Sequence, residues 1–304
     1  LYVHKKQGVL IDSGYSEVDA FLIQELLKNK GIKLLAIINT HAHPENAGAS
    51  SFLKKTTGCK VLVTRPERLI MENPSRSNYM PTIQMEAEVE LEEWEEDAEE
   101  GEEEEEPIEP NPEEEIKKAY IQPKTCLIDG LLTVNKSFAG PQGQKLDIID
   151  LAGHTTGQIG VKTPDNVLFI ADALAPLYEM EDNPIPYVEN VTQYKKSLDY
   201  LLNSPCNLFV PTHGDLIEFS LSNEILSNVM QVQLIEEAII MHLIMPRTKE
   251  ELIALLFATF EIPETIPNFY RISTSVVAFL NCLKRETKIT IIHECGKTRW
   301  FAKP

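Results

Sequence analysis

The chain has no apolar run long enough to cross a bilayer; each is cut short by charge, so a spanning helix is not expected. Cysteine is scarce: five residues, at 59, 126, 206, 282 and 295, an odd number without paired spacing. This speaks against a disulfide framework and for free thiols in a reducing compartment. Basic residues are missing between Glu86 and Glu115, a stretch with 19 carboxylates and no Lys or Arg. The formal net charge of −19 belongs to that stretch, because outside it 28 basic residues face 28 acidic ones. A neutral remainder gives no electrostatic reason to expect a nucleic-acid partner. The chain opens on Leu1 rather than Met, which leaves a preceding targeting segment open; a cytoplasmic location is the default expectation.

What is present is enough apolar material, 43% of 304 residues, for one large core or a core with an appendage. Gly8–Asp12 reads as a strand, about 17–30 as a helix, 34–39 as a buried strand, about 47–56 as a helix and 59–63 as a strand. This βαβαβ opening argues for an α/β layered fold. Residues about 81–118, rich in Glu and Pro, cannot bury enough apolar surface to offset their ordering entropy and read as an acidic insert. It is a solvated spacer or, through Trp94, a docking surface for a basic partner. Strands resume at 126–134, 145–151, 158–162 and 166–171, then near 208–210, with Thr192 placed to cap a helix to about 203.

The division expected is 1–220 for the α/β domain and 221–304 for a helical module. Within the latter, helices cover about 222–244, a segment begun by the Thr248/Glu251 capping box, and about 271–286. A hairpin then turns at Gly296-Lys297, and the whole reads as winged-helix-like.

The chemistry concentrates at strand ends. In Thr40-His41-Ala42-His43-Pro44-Glu45-Asn46, two imidazoles two positions apart follow a buried strand and point the same way. Imidazole suits zinc, iron and related metals. His154 follows the strand ending near 151, Asp172 the strand 166–171, and His213 the strand near 210. Ligand crevices in α/β folds open at strand carboxyl ends, so these residues converge on one candidate site.

With its His-x-His-x-Glu-Asn loop, Gly153-His154-Thr155-Thr156-Gly157, strand-end Asp172 and His213-Gly214, the chain resembles the metallo-β-lactamase-fold hydrolases over about residues 1–220. The tail resembles the C-terminal region of some bacterial members. The resemblance implies a four-layer αββα sandwich. It implies that His41, His43 and His154 hold a first metal, that Asp172 bridges to a second, and that His213 serves the second with help from position 45. The family usually has Asp and His where this chain has Glu45 and Asn46. Glu45 moves its oxygens by roughly 1.5 Å, one carbon–carbon bond, and a neutral amide is a poor substitute for imidazole on zinc. One firm zinc site and a weak or absent second one are expected, with iron or manganese as alternative metals. Glu45 is either a ligand or a general base.

The activity implied is hydrolysis of an ester, thioester, amide or phosphodiester of a small-molecule substrate by a metal-activated water, with Glu45 and Asp172 as catalytic residues. The competing readings are a pseudoenzyme acting as a binding or assembly module and a single-stranded RNA nuclease. From Pro246 to Pro304 nine basic residues oppose six acidic ones, a mild excess for a nucleic-acid face. Arg271, Lys284, Arg285, Lys288 and Arg299 fit a cleft wall or a homodimer contact better. No membrane partner is expected. His4, His242 and His293 read as structural, Asp12 and Gly14 as turn or site, and Tyr178 and Tyr187 as pocket lining or packing.

Overall fold

The computed structural model describes residues 1–74 and 124–303. The acidic insert expected at about 81–118, with Trp94, lies outside the described residues.

One sheet has five strands in the order β1 (Tyr2–His4), β2 (Gln7–Ile11), β3 (Lys33–Ile38), β4 (Lys60–Val63) and β5 (Gly130–Leu131). The second has six, in the order β11 (Ile217–Glu218), β10 (Leu208–Pro211), β9 (Val167–Ala171), β8 (Ile159–Lys162), β7 (Lys145–Asp150) and β6 (Lys136–Ala139). Helices α1 (Glu17–Lys30), α2 (Pro44–Ala47), α3 (Ser50–Thr57) and α4 (Arg65–Met71) join the strands of the first sheet, and α5 (Val191–Leu202) leads to β10. Three further helices, α6 (Ser222–His242), α7 (Lys249–Thr259) and α8 (Ile266–Arg285), precede the hairpin β12 (Ile289–Glu294) and β13 (Lys297–Ala302).

The period of two sorts the side chains into layers. Val9, Ile11, Ala36, Ile38 and Leu62 meet Leu146, Ile148, Ile159 and Val161 between the sheets. Their neighbours Leu10, Ile37, Val61 and Val63 turn outward onto Ala20 and Leu27 of α1 and Leu53 of α3. Leu34 and Ile37 share that outer face although three apart, because β3 carries an extra residue where Gly8 pairs with Leu34 and Val9 with Ala36. Leu168, Ile170 and Phe209 of the second sheet face the opposite way, into a cluster with α5, α6, α7 and α8. These are the four layers, α, β, β, α, of an α/β sandwich.

Several elements depart from their sequence signals. The helix expected near 47–56 is two, α2 and α3, broken at Gly48, where a Cβ would lie 1.9 Å from the Tyr15 carbonyl oxygen. Of the strand expected at 126–134 only Gly130–Leu131 pairs, while 136–139 forms an edge strand that its polar composition hides. The third tail helix starts earlier, at Ile266, because Thr265 Oγ1 accepts from Asn268 N and a proline occupies the first turn. Thr192 is not the cap of α5: Asn190 takes that role, its side chain accepting from Gln193 N at 3.1 Å. The Thr248/Glu251 capping box starts α7 as expected. The hairpin is tied back through the reciprocal Arg247–Trp300 backbone bonds and Ala302 N to the Leu243 carbonyl. All five cysteines are free, and no helix among the described residues is long and apolar enough to cross a membrane.

The cap assignment yields a test. Asn190→Ala removes a cap bond and is expected to cost about 1 kcal/mol in urea unfolding. Thr192→Ala is expected to cost less than half of that; equal losses would contradict the assignment.

Candidate metal centre

Strands β2, β3 and β4 are parallel, and so are β9 and β10; β7 runs the same way as β9 through two antiparallel steps across β8. Their carboxyl ends therefore deliver Asp12, His41, His43, His154, Asp172 and His213 to one end of the sandwich. Two strand exits take up unusual backbone. Asp12 has φ 58° and Ala171 has φ 50°, left-handed conformations that turn the chain sharply where it leaves the sheet.

The nitrogens of His41, His43 and His154 lie within 4.8 Å of one another. His43 Nδ1 and His154 Nε2 are 3.0 Å apart, close to the ~3.3 Å edge of a tetrahedron around a cation with 2.0–2.1 Å bonds. Neighbouring groups set the tautomers. His154 Nδ1 meets the Tyr187 carbonyl oxygen at 3.1 Å, and a carbonyl only accepts, so Nδ1 carries the proton and Nε2 offers a lone pair. The Thr40 hydroxyl donates to Asp12 Oδ2 at 2.9 Å, so its oxygen accepts from His41 Nδ1 at 3.1 Å. His41 Nε2 is thereby also a lone pair, and it faces Asp172 Oδ2 at 3.2 Å. Both atoms are buried without a hydrogen-bond partner. Two acceptors held this close in a buried site require a cation or a proton between them. The donor set and these orphaned atoms fit a divalent transition metal.

Burial, then the surrounding imidazoles, holds His41 well below its usual pKa, and burial followed by His154 does the same for His43. His154 falls to about 4 through burial, against the opposing Tyr187 hydrogen bond. All three are neutral, ligand-ready imidazoles at physiological pH. Burial, reinforced by Glu45 and Asp12, raises Asp172 well above the carboxylate range. Burial lifts Glu45 to about 7 and Asp12 to about 6.

The structure places the remaining expected residues less tightly. His213 Nε2 is 3.6 Å from Asp172 Oδ1, with its side chain 41% exposed. Glu45 Oε1 stands 3.8 Å from His43 Nδ1 at the cleft wall. Neither belongs to the cluster of mutually close ligand atoms. Asn46 is buried, and its amide bonds side chains rather than the loop backbone its residue type suggests. Nδ2 donates to Asp12 Oδ2 at 3.0 Å and Thr212 Oγ1 at 2.9 Å. Position 46 therefore bridges the exits of β2 and β10. Tyr187 lines the cleft with its ring 5.3 Å from both His43 and His154, whereas Tyr178 is exposed. His242 and His293 bond Thr259 and Thr298, away from the site.

Sequence reasoning missed Glu67. This fully buried carboxylate of α4 accepts from Ala42 N at 3.0 Å, Thr155 Oγ1 at 2.7 Å and Gly157 N at 2.9 Å. It thus ties the residue between His41 and His43 to the loop carrying His154. The pattern Thr64-Arg65-Pro66-Glu67 carries a helix-start signal, but nothing local reveals that Glu67 turns inward. On the other side of His154, Gly153 has φ 144°, and a Cβ there would lie 2.5–2.6 Å from the Tyr194 backbone. Only glycine allows α5 to pack this close. The open cleft at the site is lined further by Glu179, Asn183 and Arg271.

Two measurements test this geometry. In the metal-free chain, the His41, His43 and His154 ring resonances are expected to stay neutral down to pH 5.5; titration near the free value of 6.5 would contradict the burial argument. Glu67→Gln must set an amide N–H against at least one of three donors. It is expected to cost about 1–2 kcal/mol of stability and to weaken metal binding about 10–100-fold. Unchanged zinc affinity by competition titration would remove Glu67 from this role.

Comparison with known proteins agrees with the geometry. The family model described as the metallo-beta-lactamase superfamily matches residues 1–213. The chain is similar in structure to a metallo-beta-lactamase family protein from Thermus thermophilus, with 18% identity, TM-score 0.63, and coverage of 96% of this chain and 89% of that one. It is also similar to a beta-lactamase domain protein from Burkholderia ambifaria, with 14% identity, TM-score 0.65, and coverage of 97% and 82%. These likenesses show the fold. No curated protein matches the chain.

Proposed function

The chain belongs to the metallo-β-lactamase superfamily, and we propose that it is a metal-dependent hydrolase built around one metal centre held by His41, His43 and His154. The observation that supports this most is the buried pair His41 Nε2 and Asp172 Oδ2, two acceptors 3.2 Å apart with no hydrogen-bond partner. A divalent metal bound there, zinc for this imidazole set, supplies an activated water at neutral pH and polarises a scissile oxygen.

The chain's own residues do the rest. The hydrogen-bonded series His41–Thr40–Asp12 and the His154–Tyr187 contact fix both rings with their lone pairs inward. Asp172 Oδ2 stands beside His41 as a further ligand or an acceptor that orients the attacking water. Glu45 lines the open cleft beside His43, where its carboxylate is placed to take a proton at one step and return it to the leaving group at another. His213, which lines the same cleft and is partly exposed, is placed to bond a substrate oxygen. The substrate class in this reading is a small molecule carrying an ester, thioester, amide or phosphodiester.

The substitution at position 46 argues for a single ion. Asn46 Nδ2 is committed to Asp12 and Thr212, and its partnerless Oδ1 is a neutral amide oxygen that suits zinc poorly, so a second metal would have Asp172, His213 and at most Glu45 as strong ligands. The expected result by elemental analysis is one equivalent of zinc per chain, lost in His41→Ala together with hydrolysis of generic ester and phosphodiester substrates. Glu45→Asp with Asn46→His is expected to admit a second equivalent. Two tightly held ions in the unaltered protein would contradict the one-metal centre. One tightly held ion without turnover of any such substrate would favour the pseudoenzyme.

A further inference from the structure

Helix α6 is apolar on two opposite faces. Ile225, Val232, Ile235, Ile239 and Leu243 are buried in the cluster beneath the second sheet. On the far side Leu226, Met230, Leu234 and Met241 repeat at spacings of four, four and seven residues. Ile244 and Met245 follow just past the helix end, and all six are 50–73% exposed. Between residues 222 and 245 the exposed positions carry a single formal charge, Glu237. An exposed apolar row of this length on one helix face marks a contact surface, yet among the described residues nothing packs over this side.

The composition narrows the occupant. A face with one charge in ten exposed positions offers little to a basic or acidic partner, and its three methionines suit an adaptable apolar surface. The exposed apolar area is on the order of 500 Å² per chain, the size of a functional patch. Two such faces bring together about 1,000 Å², where specific interfaces begin. The second apolar row, Val18, Phe21, Leu22 and Leu26 on α1, is interspersed with exposed Glu17, Glu25 and Lys28 and resembles ordinary surface.

We propose that the outward face of α6 docks a second copy of this chain, the two helices crossing antiparallel about a two-fold axis near Leu234. Charge selects this orientation. A parallel pairing sets the two Glu237 carboxylates against each other. The antiparallel one separates them by roughly 9 Å along the axis, given a 1.5 Å rise per residue. A two-fold contact also uses the same patch twice and closes, so it does not propagate into filaments. The surface is independent of the metal and of turnover.

Analytical ultracentrifugation of the full chain at about 10–100 μM, concentrations suited to a contact at the weak end of specific interfaces, is expected to show a dimer. Met230→Glu with Leu234→Glu is expected to give a monomer with an unchanged far-ultraviolet circular dichroism spectrum, whereas Leu22→Glu on α1 leaves the dimer intact. In a Cys295→Ser background, which removes the one exposed native thiol, Leu234→Cys is expected to form an intermolecular disulfide on mild oxidation. A wild-type monomer throughout this range, a dimer that survives the glutamates, or a dimer whose Leu234→Cys form does not cross-link would overturn the proposal.

Discussion

The carboxylate of Glu67 is the contact on which the site depends. Three donors from two loops converge on it, one between His41 and His43 and two from the turn after His154. Those loops leave different sheets, β3 in one and β7 in the other. The bonds from Ile159 N to the Thr40 carbonyl and from Thr64 Oγ1 to the Gly157 carbonyl also span the two sheets, and Glu67 adds the contacts nearest the imidazoles, where His43 approaches His154 to 3.0 Å. A buried carboxylate accepting three hydrogen bonds does this well, because each donor left unpaired there would cost a full desolvation penalty. Burial lifts Glu67 to about 7, against the lowering by its three hydrogen bonds.

A second network sits on the other side of the imidazoles. Asp12 accepts from Thr40 N, Thr40 Oγ1 and Asn46 Nδ2, and Asn46 reaches on to Thr212. It joins the exits of β2, β3 and β10 and orders the His41 tautomer through Thr40. Asn46 is thus a working part of a polar bridge. The same amide that weakens the case for a second ion helps to hold the first set of ligands. Three neutral imidazoles and an orphaned carboxylate oxygen thus face one open cleft.

The helical tail is bonded to this centre. Ser275 of α8 donates to the Pro186 carbonyl and accepts from Val188 N, and Arg271 donates to the Ile185 carbonyl. The segment so held contains Tyr187, whose carbonyl sets the His154 ring. Basic residues that seem from composition to form a patch are used separately: Arg271 lines the cleft, while Lys288 pairs with Glu236 and Glu286. The apolar outer face of α6 shows that the sandwich does not by itself account for all of the chain's hydrophobic surface.

Much of the fold was legible in the sequence, because period-two apolar runs, capping boxes and turn residues are local signals. So were His41, His43, His154, Asp172 and His213 as strand-end groups, since strand ends follow from the same periodicity. Element boundaries set by tertiary contact were not: Asn190 displaces Thr192 as a cap, and after Gly48 the Ala49 amide leaves the helix to bond the Gly14 carbonyl. Nor could spacing reveal which side chains bridge loops. Glu67 and Asn46 look like ordinary helix-start residues, and only folding brings them against partners 90 and 166 positions away. The sequence by itself determined which residue types reach the end of the sandwich. The tertiary structure decided which of them face one another, because direction, burial and hydrogen-bond partnership depend on neighbours distant along the chain.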